Sequence, residues 1–192
     1  AEDAISTAQV KGEQQLNVVV PVLPRISNHT DFDMLRVHPQ VKLTFVAQHS
    51  PIPPCDLIIL PGSKNVRADL ALLKKMHWDK ALQRHLSYGG KVLGICGGYQ
   101  MLGHTITDPH GVEDTPGTSK GLGYLPINTQ LHPQKQLTHS QGSLLLTSGE
   151  PVPIHGYEIH IGTSTRAKNA RPLILLNNGE YEGCISDDNQ IL

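Results

Sequence analysis

The chain has 192 residues, 38% of them hydrophobic, and 16 Lys and Arg stand against 17 Asp and Glu for a formal net charge of −1. That length supports a full hydrophobic core in one α/β domain, and so even a charge balance offers no electrostatic case for nucleic acid or an anionic membrane surface as a partner. The three cysteines, Cys55, Cys96 and Cys184, are odd in number and far apart, which argues against a secreted disulfide framework and fits a reducing cytoplasm; no apolar run approaches a membrane span or a signal-peptide core.

Residues 1–15 are mostly polar or small, carry no sustained period and read as a linker or tail. LNVVVPVL (16–23), with Pro21 near its end, is a buried strand, and VKLTFVA (41–47) and CDLIIL (55–60) are two more. After Pro61-Gly62, residues 63–76 suit a helix with Val66, Leu70 and Leu73 on one face. A second helix starts near Trp78, with Leu82 and Leu86 at spacings of four, and stops at Gly89-Gly90. A strand before Cys96 follows. Strand and helix alternate to about residue 104, the pattern of an open, largely parallel sheet with helices on both faces. In such sheets active sites gather at the carboxyl ends of strands, where LPGSK (60–64) and Cys96 both lie. Residues 107–126 are rich in turn formers and read as a loop; C-terminal antiparallel strands are expected at about 122–131, 136–147, 154–161 and 173–186.

The stretch KVLGICGGYQMLGH (91–104) sets one thiol between an apolar run and a glycine pair. Gly94-Ile95-Cys96-Gly97-Gly98 has the form of a nucleophile elbow, with Cys96 at a strand-to-helix corner where helix N–H groups favour a thiolate. An inert buried cysteine is the plainer alternative. The eleven histidines are scattered, and none stands in a metal-binding spacing; His155 and His160, five apart, would point to opposite faces of a strand and cannot share a metal. Asp31 and Asp33 would share one side of an extended segment, but a loop cap suits them equally, and neither receives a catalytic role. Without further information Gln100, four residues after Cys96 on the same helical face, is as readily a surface glutamine as a ligand group.

Five segments in order over nearly the whole chain, LPRISNHTDFD (23–33), LPGSKN (60–65), GICGGYQMLG (94–103), GYEIHIG (156–162) and EGCISDD (182–188), resemble the class I, triad-type glutamine amidotransferase domains, and within them the cobalamin branch. The resemblance implies a flavodoxin-like fold over 16–192 and a role for Cys96 as the thiol that attacks the side-chain amide of glutamine, releasing ammonia and leaving a γ-glutamyl thioester. The oxyanion so formed needs preorganised donors, and the backbone N–H groups of Gly97 and of the Gly62-Ser63 turn are the natural pair. With the resemblance, Gln100 is favoured as a substrate-binding residue.

The family's catalytic histidine lies in a G-T-Y-x-H-G segment directly after the motif matched by EGCISDDNQIL (182–192), so the chain is expected to be a fragment that stops before its base and has little activity alone. Glu158 and His160 are then same-face residues near the site, an acceptor-domain contact or a structural role being as good a reading as a chemical one. The domain itself is expected to carry no cofactor and no metal: it has no G-x-x-x-x-G-K-[ST] segment. The resemblance places ATP and Mg²⁺ in a preceding synthetase domain of the same polypeptide, which amidates a corrinoid acceptor, adenosylcobyrinic acid a,c-diamide. The rival readings are a glutaminase domain acting on a cell-wall precursor and a noncatalytic interaction module on the same fold.

Overall fold

The computed structural model describes residues 16–146 and 150–192, so the linker or tail expected at 1–15 lies outside the described residues. The chain groups into two compact units, Ala1–Gly98 and Tyr99–Leu192.

The first unit is a four-stranded parallel sheet in the order β2-β1-β3-β4, built from β1 (Leu16–Pro21), β2 (Val41–Val46), β3 (Leu57–Leu60) and β4 (Lys91–Gly94). Val18, Val19 and Val20 of β1 are all buried although their side chains alternate in direction, as a central parallel strand covered on both faces requires. Val18, Val20, Phe32, Val41 and Ile59 form one core cluster, and Phe32 meets Phe45 edge to face with ring centroids 5.6 Å apart. Between β1 and β2 runs a 3-10 turn, His29–Phe32, that leads into the short helix α1, Asp33–Val37. Asp31 and Asp33 therefore do not sit in an extended segment. Asp33 instead opens α1 and pairs with Arg36 at 2.6 Å, the cap-like use of such a residue.

The crossover from β3 to β4 carries α2 (Val66–Lys75) and α3 (Trp78–Ser87). Asn65 caps α2 by accepting a hydrogen bond from the Ala68 N–H at 3.0 Å, and Val66, Leu70 and Leu73 are buried along one face. Trp78 and Leu82 anchor α3, and Gly89 follows it at φ +83°, a left-handed position that suits glycine. Because β3 and β4 are parallel neighbours in register, Leu60 opposite Gly94, the chain leaves both strands at the same end of the sheet. The Ile95 N–H continues the pairing to Leu60 O at 3.0 Å.

The second unit departs from the expected strand list. The segment 107–126 is not all loop, since it contains the end of β5 (Thr105–Asp108) and all of β6 (Gly117–Lys120), an antiparallel pair. The strands expected at 122–131 and 136–147 are one strand, β7 (Ile127–Leu144), with a register shift against β8 (Val152–Arg166) between Gln130 and Lys135. Pro133 falls in that shift, where a residue without an N–H breaks no ladder. The segment 173–186 divides into β9 (Ile174–Leu176) and β10 (Tyr181–Glu182) about a turn with Gly179 at φ +88°. These six strands form one sheet, β10-β9-β7-β5-β6 with β8 on β7; all pairs are antiparallel except β5 with β7. Among the described residues no helix is long and apolar enough to cross a membrane.

Candidate active site

Cys96 lies two residues past the end of β4 and immediately before α4 (Gly97–Leu102), and its backbone is left-handed at φ +49°. A non-glycine residue holds that conformation only where its surroundings impose it, and a strained strand-to-helix turn is what aims a nucleophile outward in an elbow. The side chain is exposed. The glycines after it are buried against the end of β3: a Cβ on Gly97 would stand 2.8 Å from the Ser63 nitrogen, and one on Gly98 would press into the Leu60 carbonyl. Any side chain at either position would push the corner away from the 60–63 segment.

The Gly62-Ser63 turn stands next to this corner, a Cβ on Gly62 being 3.7 Å from the Cys96 Cβ. It is tied to the segment after β1 by a single antiparallel bridge between Ile26 and Ser63, in which the Ser27 N–H donates to Gly62 O at 2.9 Å and the Lys64 N–H to Arg25 O at 2.8 Å. That pattern leaves the Ser63 N–H outside the bridge. The Gly97 N–H, in the first turn of α4, likewise has no intrahelical acceptor. The Ser63 nitrogen thus lies beside Gly97, the residue that follows the thiol.

The Ser63 hydroxyl is already engaged. Its Oγ donates to Asp69 Oδ2 at 2.7 Å and accepts from the Asn65 N–H at 3.1 Å, while Arg25 Nη1 donates to Asp69 Oδ1 at 3.2 Å. Asp69 is fully buried. The sequence reading missed it, although a carboxylate three residues after Val66 and one before Leu70, on the apolar face of α2, was the available signal.

The other two thiols differ from Cys96 in kind. Burial, with the Asp56 carboxylate adding, pushes the Cys55 thiol up to about 11, and burial also raises that of the enclosed Cys184.

In the second unit Gln100 is buried, and its Nε2 donates a long hydrogen bond, 3.4 Å, to Ile161 O. Glu158 and His160 face the same side of β8, opposite Thr138 and Gln136. His160 Nε2 is 2.6 Å from Glu158 Oε1 and Nδ1 is 2.7 Å from Gly162 O. Both ring nitrogens are thus occupied by neighbours on β8 itself. Burial first, then the neighbouring Cys184, raises the Tyr99 phenol, so it stays neutral. Among the described residues no three His, Cys, Asp or Glu side chains group closely enough to hold a metal ion.

A parallel sheet that ends in a cysteine elbow, continued by a mainly antiparallel sheet, is the α/β fold of class I glutamine amidotransferases. The same fold recurs in the structure of PurLQS from Thermotoga maritima, with a TM-score of 0.69 at 12% identity over 93% of this chain and 85% of that one. It recurs again in a glutamine amidotransferase from the same organism, with a TM-score of 0.54 at 12% identity over 92% of this chain and 73% of the other. Residues 17–192 match the CobB/CobQ-like glutamine amidotransferase domain, and the chain belongs to that family. It is 55% identical over all 192 residues to the cobyric acid synthase of Photobacterium profundum, of whose length it spans 39%.

Proposed function

We propose that this chain is the glutaminase domain of a longer cobalamin-biosynthesis amidotransferase, a cobyric acid synthase, supplying ammonia from glutamine. The observation that carries the reading is the left-handed Cys96 beside the Gly62-Ser63 turn. In the first step Cys96 Sγ, as thiolate, attacks the side-chain amide carbon of glutamine, and the new oxyanion is held by the Ser63 and Gly97 N–H groups. Collapse breaks the C–N bond, the proton taken from the thiol goes to the leaving nitrogen, and ammonia departs. Water then cleaves the thioester to glutamate and regenerates the thiol. Gln100 is assigned to binding the substrate amide on the strength of its position in α4.

We assign the base not to His160, whose two ring nitrogens lie against Glu158 Oε1 and Gly162 O, but to a histidine elsewhere in the longer polypeptide. Glu158 and His160 then brace the β8 backbone at Gly162 or contact the acceptor domain. In the longer polypeptide an ATP- and Mg²⁺-dependent synthetase domain uses the ammonia to amidate the corrinoid acceptor, in a reducing cytoplasm. The test compares glutamine hydrolysis by the longer polypeptide, by its Cys96→Ala variant and by the 192-residue chain. The expected order is full activity, none, and a loss of about 10²–10⁴-fold for want of the base. A Cys96→Ala protein that still releases glutamate overturns the reading.

A further inference from the structure

We propose that Asp69 is a positioning residue for the reaction, acting through Ser63: it fixes the turn whose backbone N–H meets the oxyanion. The inference rests on the glutaminase reading and goes beyond it by giving the buried carboxylate a task. A carboxylate with no exposed surface is costly unless it is paired, and a helix face that otherwise buries Val66, Leu70 and Leu73 has no packing need for one. Its two oxygens instead reach out of α2 to two different segments. Oδ2 accepts from Ser63 Oγ at 2.7 Å, on the turn after β3, and Oδ1 accepts from Arg25 at 3.2 Å, on the segment after β1. Those two segments are also the ones joined by the Ile26–Ser63 bridge. Asp69 thus pins both sides of a connection that has only two backbone hydrogen bonds of its own.

The consequence reaches the donor directly. With its Oγ fastened to Asp69 and to the Asn65 N–H, Ser63 has one setting, and its nitrogen stays beside Gly97, where a Cβ would stand 2.8 Å away. An oxyanion donor acts only if it is in place before charge develops, and a displacement of about 1 Å costs on the order of 10²-fold in rate. Releasing the turn should therefore slow the step that builds the oxyanion and leave the thiol intact.

The experiment uses the longer polypeptide carrying Asp69→Ala, Asp69→Asn or Arg25→Ala, with two readouts beside a thermal unfolding curve: kcat and KM for glutamine, and the rate at which iodoacetamide alkylates Cys96. Alkylation is a displacement at carbon that forms no oxyanion. Asp69→Ala is expected to lower kcat about 10- to 100-fold with KM and alkylation little changed. Asp69→Asn keeps an acceptor for the Ser63 hydroxyl and should restore most of the loss. Should Asp69→Ala not fold, Arg25→Ala, a milder cut at the same network, carries the test with a smaller fall in kcat alone. A folded variant with the parent kcat, or one whose alkylation falls in step with kcat, overturns this inference and leaves the glutaminase reading standing. A parent polypeptide that does not hydrolyse glutamine overturns both.

Discussion

His160 Nε2 stands 2.6 Å from Glu158 Oε1, two residues back on the same face of β8, while its other ring nitrogen is held at 2.7 Å by Gly162 O. The ring is a link within the strand. In the longer polypeptide His160→Asn should lower glutamine turnover less than about 10-fold and leave the acidic limb of the pH–rate profile where it was. Removal of a true general base costs about 10²–10⁴-fold. A folded His160→Asn protein that loses that limb together with its activity would make His160 the base.

The thiols should react in a fixed order. With its value at about 11, Cys55 is thiolate in only ~10⁻⁴ of molecules at pH 7, and Cys184 is closed off from reagent, whereas Cys96 is exposed. A glutamine-like diazo-ketone used in limiting amount should modify Cys96 first, as read by peptide mass mapping of the folded chain. Modification of Cys55 ahead of Cys96 would remove Cys96 as nucleophile.

Two glycines at the corner differ in what surrounds them. A methyl on Gly98 would meet the backbone carbonyl of Leu60, which cannot turn aside, whereas one on Gly62 would meet Ser27 Oγ, the end of a side chain that can rotate. Gly98→Ala should therefore cost about 1–3 kcal/mol in urea unfolding, as overpacking does, and Gly62→Ala clearly less. Equal midpoints for the two variants would show that the corner gives way more readily than its contacts indicate.

Asp56 gives the first unit a pH dependence of known sign. The Asn17 backbone N–H, at 2.7 Å, and then its side-chain amide, at 3.1 Å, hold the Asp56 carboxyl below its ordinary value of 3.8. A depressed carboxyl contributes stability that is fully present above the ordinary value and is lost as pH falls through the lower folded-state value. Asp56→Leu, which removes the acceptor, should thus be less stable than the parent at pH 7, with the gap closing as pH falls below the ordinary value of 3.8 and through the lower folded-state value. A gap that persists unchanged at pH 2 would assign the loss to packing.

The first unit was legible because its two central strands are buried on both faces: runs such as VVV in β1 and LIIL in β3 cannot be mistaken for surface, and α2 shows its apolar stripe. The second unit was harder. β5 and β6 read TITD and GTSK, each only four residues with little apolar patterning, and what makes them strands is pairing with each other and of β5 with β7. The gap expected between strands at 131 and 136 contains Pro133, which sits where the β7–β8 register shifts while the strand continues. At the corner the glycine pattern announced Cys96, and the chemistry of attack called for donors at Gly62-Ser63 and Gly97. Asp69 stayed hidden because its partners, Ser63 and Arg25, are 6 and 44 residues away in the chain, and only the fold brings Arg25 to it.

The left-handed backbone at Cys96 sets the interests of the fold against those of its thiol. Of the twenty residues, glycine alone relaxes such a φ without cost, so Cys96→Gly should raise the unfolding temperature while abolishing the nucleophile. Laboratory evolution of this domain for heat resistance alone would drift toward that substitution and be rewarded for inactivity. Any such selection needs a thiol readout at every round.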